Sequence, residues 1–309
     1  MSYALKNPLT QGAKRVKSNI KFFAKLFFKK ACRRRPPVKK KGAKMRYGFC
    51  KEFSTPMKTE VDYDLIKMIK DAGFDYVEMR AMLVSSLSDE EFEKLFCTLK
   101  ELDLDCDCCC ALFPKTIRVT GKDINLDEIK AYLEKTFSRC ARLGAKKVVF
   151  GSAPARALDE NTTLEEGYAH IGRVIKEAII PMCEKYDITV VMEPLRADAC
   201  NFINTLADGY RVVKEANHPR IQLLADTIHM MSNNDNTDDI INYKDALKHI
   251  HIAELQRIMP EDEYSDYIKT VLENLNKNGY EGTVSFESKN GNGLESMKKA
   301  LALLKANLK

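Results

Sequence analysis

One feature constrains this chain more than any other: from Met45 onward, short β-type runs alternate with longer stretches, and they do so eight times. The strand candidates are residues 46–50, 76–79, 104–112, 147–150, 189–192, 221–225, 249–253 and 283–286. Between them lie amphipathic segments with helical spacing of apolar residues, among them 63–72, 89–102, 126–143, 164–185 and 264–277. Ala-Gly-Phe at 72–74, Leu-Gly-Ala at 143–145 and Asn-Gly-Tyr at 278–280 supply helix C-terminal stops. Strand followed by helix, repeated, implies parallel strands, because the helix carries the chain back to the end at which the next strand starts.

Eight units of about 33 residues are what a (β/α)8 barrel needs. A doubly wound open sheet is the rival, but no G-x-G-x-x-G follows the first strand, where Arg46-Tyr47-Gly48-Phe49-Cys50 runs into Lys-Glu-Phe-Ser. The expected fold is therefore α/β, a TIM barrel over residues 45–309, preceded by a basic extension of residues 1–44. In such a barrel the active site lies at the C-terminal ends of the strands.

The extension changes how the charge is read. The chain carries 50 Lys+Arg against 44 Asp+Glu, but 15 of the basic residues and none of the acidic ones fall in residues 1–44. The barrel segment is thus acidic, which argues against a nucleic-acid partner. Ile20, Phe23, Ala24, Leu26, Phe27 and Ala31 fall on one side of a helical wheel with Lys21, Lys25 and Lys29 opposite, an amphipathic cationic pattern. Residues 1–44 are the one part suited to an anionic membrane surface or RNA; an over-extended start and a cleaved targeting segment are the competing readings. No apolar run of roughly 18 residues is present to span a bilayer. Ten cysteines are scattered along the chain, four of them (Cys106, Cys108, Cys109, Cys110) in one apolar strand without paired CxxC spacing. They read as buried, inert thiols of a protein in a reducing cytoplasm.

Four residues of metal-ligand type stand at the ends of consecutive strands. Glu193 closes Thr-Val-Val-Met-Glu, Asp226 closes Leu-Leu-Ala-Asp, His251 sits in His-Ile-His-Ile, and Glu287 closes Thr-Val-Ser-Phe-Glu. Their separations of 33, 25 and 36 residues are each about one β/α unit, which sets them side by side on one rim. Singly, each has a bland reading as a solvated carboxylate or a structural histidine. Together, each after an apolar run that would otherwise bury a charge, they suit a hard divalent cation: Mn²⁺ first, with Mg²⁺, Co²⁺ or Zn²⁺ as alternatives.

With Glu193-Pro194-Leu195, Asn201-Phe202-Ile203-Asn204-Thr205, Asp226-Thr-Ile-His229, His249-Ile-His251 with Arg257 six residues on, and Phe286-Glu287, the chain resembles the sugar isomerase/epimerase family with the xylose isomerase-like barrel. Ketose 3-epimerases, hydroxypyruvate isomerase and inosose dehydratase are members. The resemblance implies that Glu193, Asp226, His251 and Glu287 hold the metal, that Glu193 and Glu287 are the catalytic acid/base pair, and that His229 and Arg257 hold substrate oxygens. The implied activity is metal-dependent isomerisation or epimerisation of a sugar, by proton abstraction next to a carbonyl through a metal-stabilised enediolate, in a homo-oligomer.

Glu78, closing Tyr-Val-Glu on the second strand, is a further candidate for binding a substrate hydroxyl, with a structural ion pair as its alternative. Gly151-Ser-Ala-Pro-Ala-Arg156 offers one Arg for a hydroxyl or phosphate. One position departs from the family: six residues after Glu193 many members carry a second glutamate, and here it is Ala199. That opens the substrate, and epimerase against isomerase. A keto-polyol dehydratase and a non-catalytic binding barrel are the other readings. An endonuclease acting on abasic DNA shares the barrel but asks for more histidines than the five present.

Overall fold

The computed structural model describes residues 45–50, 60–289 and 293–309. The extension expected over residues 1–44, with its proposed surface-binding role, lies outside them.

The eight strands close into one parallel barrel in the order of the sequence. They are β1 (Arg46–Cys50), β2 (Tyr76–Arg80), β3 (Asp105–Cys110), β4 (Lys147–Phe150), β5 (Thr189–Met192), β6 (Ile221–Asp226), β7 (Leu247–Ile252) and β8 (Thr283–Phe286). Closure is direct, with Gly48 of β1 paired to Tyr76 of β2 on one side and to Ser285 of β8 on the other.

Helix ends follow their local chemistry. Ser88, Thr163 and Thr205 each form a capping box with an acid three residues on, satisfying orphan N–H groups at both ends of the box. Gly73 and Gly144 take the left-handed conformation that stops Tyr63–Ala72 and Leu126–Leu143. The single helix expected over 164–185 is interrupted by a wide turn at Ile175–Ile179. Pro181, at the start of Ile180–Tyr186, has no N–H to return to the preceding turn.

Period-two alternation then builds two cores. Outward residues such as Phe49, Val77, Cys109, Val148, Val190, Leu223, Ile250 and Phe286 pack under the helices. Inward residues Cys50, Tyr76, Cys108, Cys110, Val149, Val191 and Leu224 fill the barrel. The Tyr76 ring lies where a Cβ on Gly48 would be, and its hydroxyl bonds Ser285 Oγ at 2.9 Å. The floor of the barrel is therefore plugged, and its open end is the one at which the strands finish. Among the described residues, no helix is long and apolar enough to cross a membrane.

Candidate metal centre and active site

The same parity that sends Val191 inward sends Glu193 into the mouth two residues later, and Leu224 does the same for Asp226. On β7, His249 and His251 share the inward face; after β8, Glu287 follows Ser285. All four expected ligands therefore reach one place. Their donor atoms lie within 4.8 Å of one another, and all four residues are buried.

His251 is the centre of the group. Its Nδ1 is 3.3 Å from Glu193 Oε1, 3.2 Å from Glu287 Oε2 and 3.9 Å from Asp226 Oδ2. Despite this company, His251 Nδ1 and Glu193 Oε1 are buried without a hydrogen-bond partner. Buried polar atoms are seldom left so, and an imidazole nitrogen ringed by three carboxylates is a donor set for a divalent cation. Asp226 turns Oδ2 toward the group, while its Oδ1 caps the helix Thr227–Asn233 by accepting the Ile228 N–H at 2.7 Å. Gly151, after β4, gives the Glu193 carboxylate its room, because a Cβ there would collide with Oε2.

Glu78 is not at the mouth. β2 runs one residue further than its sequence suggests, to Arg80, so the inward position at the strand end is Arg80 and Glu78 lies a layer below. It is wholly buried, one oxygen 3.1 Å from His251 Nε2 and the other 3.1 Å from His249 Nε2. The structural ion pair weighed for Glu78 is what this placement favours over a grip on a substrate hydroxyl: each oxygen faces one histidine nitrogen inside the barrel. His249, which the sequence reading left without a role, continues the chain to Thr283, whose Oγ1 is 2.7 Å from Nδ1. On His251, Nε2–H faces the Glu78 carboxylate, so Nδ1 is the nitrogen that a cation would take in place of a proton. The signal for His249 was its parity, two residues before His251 on one strand.

His229 and Arg257 come from the segments after β6 and β7. His229 Nδ1 accepts the Arg196 N–H at 3.2 Å, so Nε2 carries the proton and faces Asp226 Oδ2 at 3.8 Å. Arg257 pairs tightly with Glu287 Oε2, donates to the Glu287 carbonyl at 3.0 Å and lies 3.4 Å from Asp226 Oδ2. Gln256 and Arg257 are both left-handed, with φ of 62° and 60°, a conformation that non-glycine residues adopt at the expense of about 1–3 kcal/mol each. The Lys289 N–H holds Arg257 O at 2.9 Å, fixing the turn that aims the guanidinium inward.

Arg156 is turned away from any ligand. It is fully buried, donating to Phe150 O at 3.1 Å and to Ile203 O at 3.2 Å. Ile203, a β-branched residue at φ 59°, also accepts the Leu195 N–H at 3.1 Å. Arg156 thus fastens the loop that carries Glu193-Pro194-Leu195, and the phosphate contact entertained for it has no exposed guanidinium to rest on.

The electrostatics follow from burial set against partners. Burial opposes the charge of Glu287, but Arg257 and His251 outweigh it and lower its pKa. Burial raises Asp226, with Glu287 adding to the effect against His229 and Arg257. Burial likewise opposes His251, yet Glu78 and Glu287 draw its imidazole well above the ordinary value. Glu78 is held well below its own ordinary value, because His251 and His249 overcome burial. The site is strongly anionic and asks for positive charge.

Comparison with known proteins gives the same architecture. The sequence profile described as xylose isomerase-like TIM barrel matches residues 66–307. The chain belongs to that family. It is 25% identical over 236 residues to the 3-dehydro-D-guloside 4-epimerase of Escherichia coli (strain K12), covering 72% of this chain and 85% of that one. It is 26% identical over 228 residues to the ketose 3-epimerase of Arthrobacter globiformis, covering 72% and 76%. Among solved structures, a D-allulose 3-epimerase from Methylomonas sp. superimposes with a TM-score of 0.72 at 18% identity, covering 86% of this chain and 98% of that chain. The IOLI protein, crystallised with a zinc atom, superimposes with a TM-score of 0.67 at 20% identity, covering 85% and 96%.

Proposed function

We propose that this family member is a divalent-metal-dependent epimerase or isomerase of a keto-sugar or keto-glycoside. The observation that carries the reading is the convergence of Glu193, Asp226 and Glu287 on an unpartnered His251 Nδ1. Those four residues would hold the cation, Mn²⁺ in first place. When bound, it supplies a Lewis acid beside the substrate oxygens that must carry negative charge during the reaction.

The relatives' names support the choice of reaction. A 3-dehydro sugar epimerised at carbon 4 and a ketose epimerised at carbon 3 are both inverted at the carbon next to a carbonyl. A hydrogen there is acidic enough for a positioned carboxylate to remove. Glu193 and Glu287 reach the site from β5 and β8, on either side of β6 and β7. One takes the proton from one face of the carbon and the other returns a proton to the opposite face, which inverts the centre. Arg257 keeps Glu287 ionised between turnovers, and His229 donates from Nε2 to a substrate hydroxyl or carbonyl oxygen. Glu78 sets the orientation of His251 from below.

The test is a panel of ketoses, keto-glycosides, inososes and hydroxypyruvate, incubated with Mn²⁺-loaded protein in D₂O and followed by NMR. The expected result is one epimer or isomer labelled at the carbon next to the carbonyl, with activity lost on chelation. Full turnover by protein shown to be metal-free, or loss of water in place of inversion, would overturn the reading.

A further inference from the structure

Below the mouth, on the β1–β3 side, two thiols face each other inside the barrel. Cys50 ends β1 and Cys110 ends β3, and parity turns both inward with Glu78 of β2 between their strands. Their Sγ atoms are 3.5 Å apart, and both residues are buried and reduced. One donor atom from each of Cys50, Glu78 and Cys110 falls within 4.8 Å of the others. Cys50 Sγ also lies 4.0 Å from Glu287 Oε1, the carboxylate oxygen turned away from Arg257.

We propose that Cys50, Cys110 and Glu78 form a second cation site, selective for a thiophilic divalent ion of the zinc and cadmium class. Two thiolates on a tetrahedral zinc, with Zn–S of about 2.3 Å, stand about 3.8 Å apart, so the thiols need move only a few tenths of an ångström to chelate. Glu78 accepts one hydrogen bond on each oxygen and keeps lone pairs for an ion. Softness separates the two sites: oxygen and imidazole at the mouth suit manganese or magnesium, and sulfur below suits zinc or cadmium. Each thiol releases its proton to water as the ion binds. The outward pair Cys106 and Cys109, 3.7 Å apart, has no carboxylate with it in such a grouping among the described residues and packs in the core under the helices. The inference stands independently of the sugar reading, because it concerns binding alone.

The experiment titrates the full-length protein, its mouth filled with Mn²⁺, with Cd²⁺. The expected result is one tightly bound Cd²⁺ per chain with ultraviolet thiolate-to-cadmium absorption, and a Cd K-edge spectrum with two sulfur neighbours completed by oxygen. Cys50→Ala/Cys110→Ala should lose the absorption and bind Cd²⁺ at least a hundredfold more weakly, whereas Cys106→Ala should keep both. Glu193→Gln, which damages the upper site, should keep the absorption as well. A cadmium shell of oxygen and nitrogen only in the wild-type protein would overturn the proposal without any variant having to fold. So would absorption that survives in the double variant.

Discussion

Strands β5–β8 and strands β1–β3 finish at the same mouth, yet they bring opposite chemistry to it. The first group ends in Glu193, Asp226, His251 and Glu287, all drawn to one imidazole nitrogen. The second ends in Cys50 and Cys110, with Arg80 paired to Cys110, and holds its carboxylate, Glu78, level with Cys50 and two residues short of its own strand's end. Strand direction and parity are the same in both halves, so the difference comes from which residue stands at each strand end and how far along the strand its carboxylate lies. A carboxylate at the strand end enters the mouth; one placed two residues earlier is enclosed and can act only through what it touches. The barrel is a symmetrical frame with a one-sided site.

The sharpest way to break this comparison is to remove a proton carrier from the β5–β8 side. Glu193→Gln and Glu287→Gln each keep shape and burial but cannot accept a proton, so turnover on the substrate found by the panel should fall by about 10²–10⁴-fold with the fold intact by circular dichroism. Wild-type turnover in both would return the site to the bland reading of four unrelated strand ends.

The β5–β8 side was also the half most legible in the sequence. Each ligand follows an apolar strand at a separation of about one β/α unit, and both the spacing and the burial penalty are visible without coordinates. The β1–β3 side was less so. Whether Glu78 closes its strand or lies two residues inside it depends on a single boundary, and strand boundaries depend on partners: Arg80 is in the strand because it pairs with Cys110. Arg156 misled for a related reason. Small residues and one arginine after a strand look like an anion loop, and only the carbonyls of Phe150 and Ile203 show the guanidinium turned inward. The break at Ile175–Ile179 has its sequence signal in Pro181, which interrupts the hydrogen bonding of an otherwise continuous amphipathic pattern.

If Glu78 works only through His251, its loss should appear in metal affinity before it appears in rate. Glu78→Gln cannot accept from both histidines as a carboxylate does, and Mn²⁺ should bind about 10–100-fold more weakly by calorimetry, with most of the turnover restored at saturating Mn²⁺. Unchanged affinity with reduced turnover would move Glu78 out of its supporting position. A smaller effect belongs to Gly151, whose missing Cβ makes room for Glu193. Gly151→Ala must push the carboxylate aside, and because that carboxylate is the end of a flexible side chain, we expect about a tenfold loss in turnover with little change in melting temperature. A large fall in melting temperature would mean that the backbone had moved instead.

The mildest test asks whether cationic and histidine partners are what keep the site acids ionised. Asp235, on the β6–β7 connection, is half-buried and has no such partner among the described residues, and burial, with Asp239 and Asp208 nearby, pushes its pKa up to about 6. A carboxyl raised in the folded state holds its proton more tightly there than in the unfolded chain. Its contribution is therefore complete below about pH 4 and is lost as pH rises through about 6. Asp235→Asn keeps an acceptor for the nearby Leu206 N–H and never ionises. It should therefore match wild type at pH 4 and exceed it at pH 8 by about 1 kcal/mol, a figure reduced for the solvent that reaches a half-exposed group. Glu287 is buried more deeply, yet its pKa is lowered by Arg257 and His251, so the two acids differ in company more than in depth. Urea melts of both proteins at the two pH values measure this directly. An equal gap at both would show that burial and the neighbouring acids Asp239 and Asp208 do not raise Asp235.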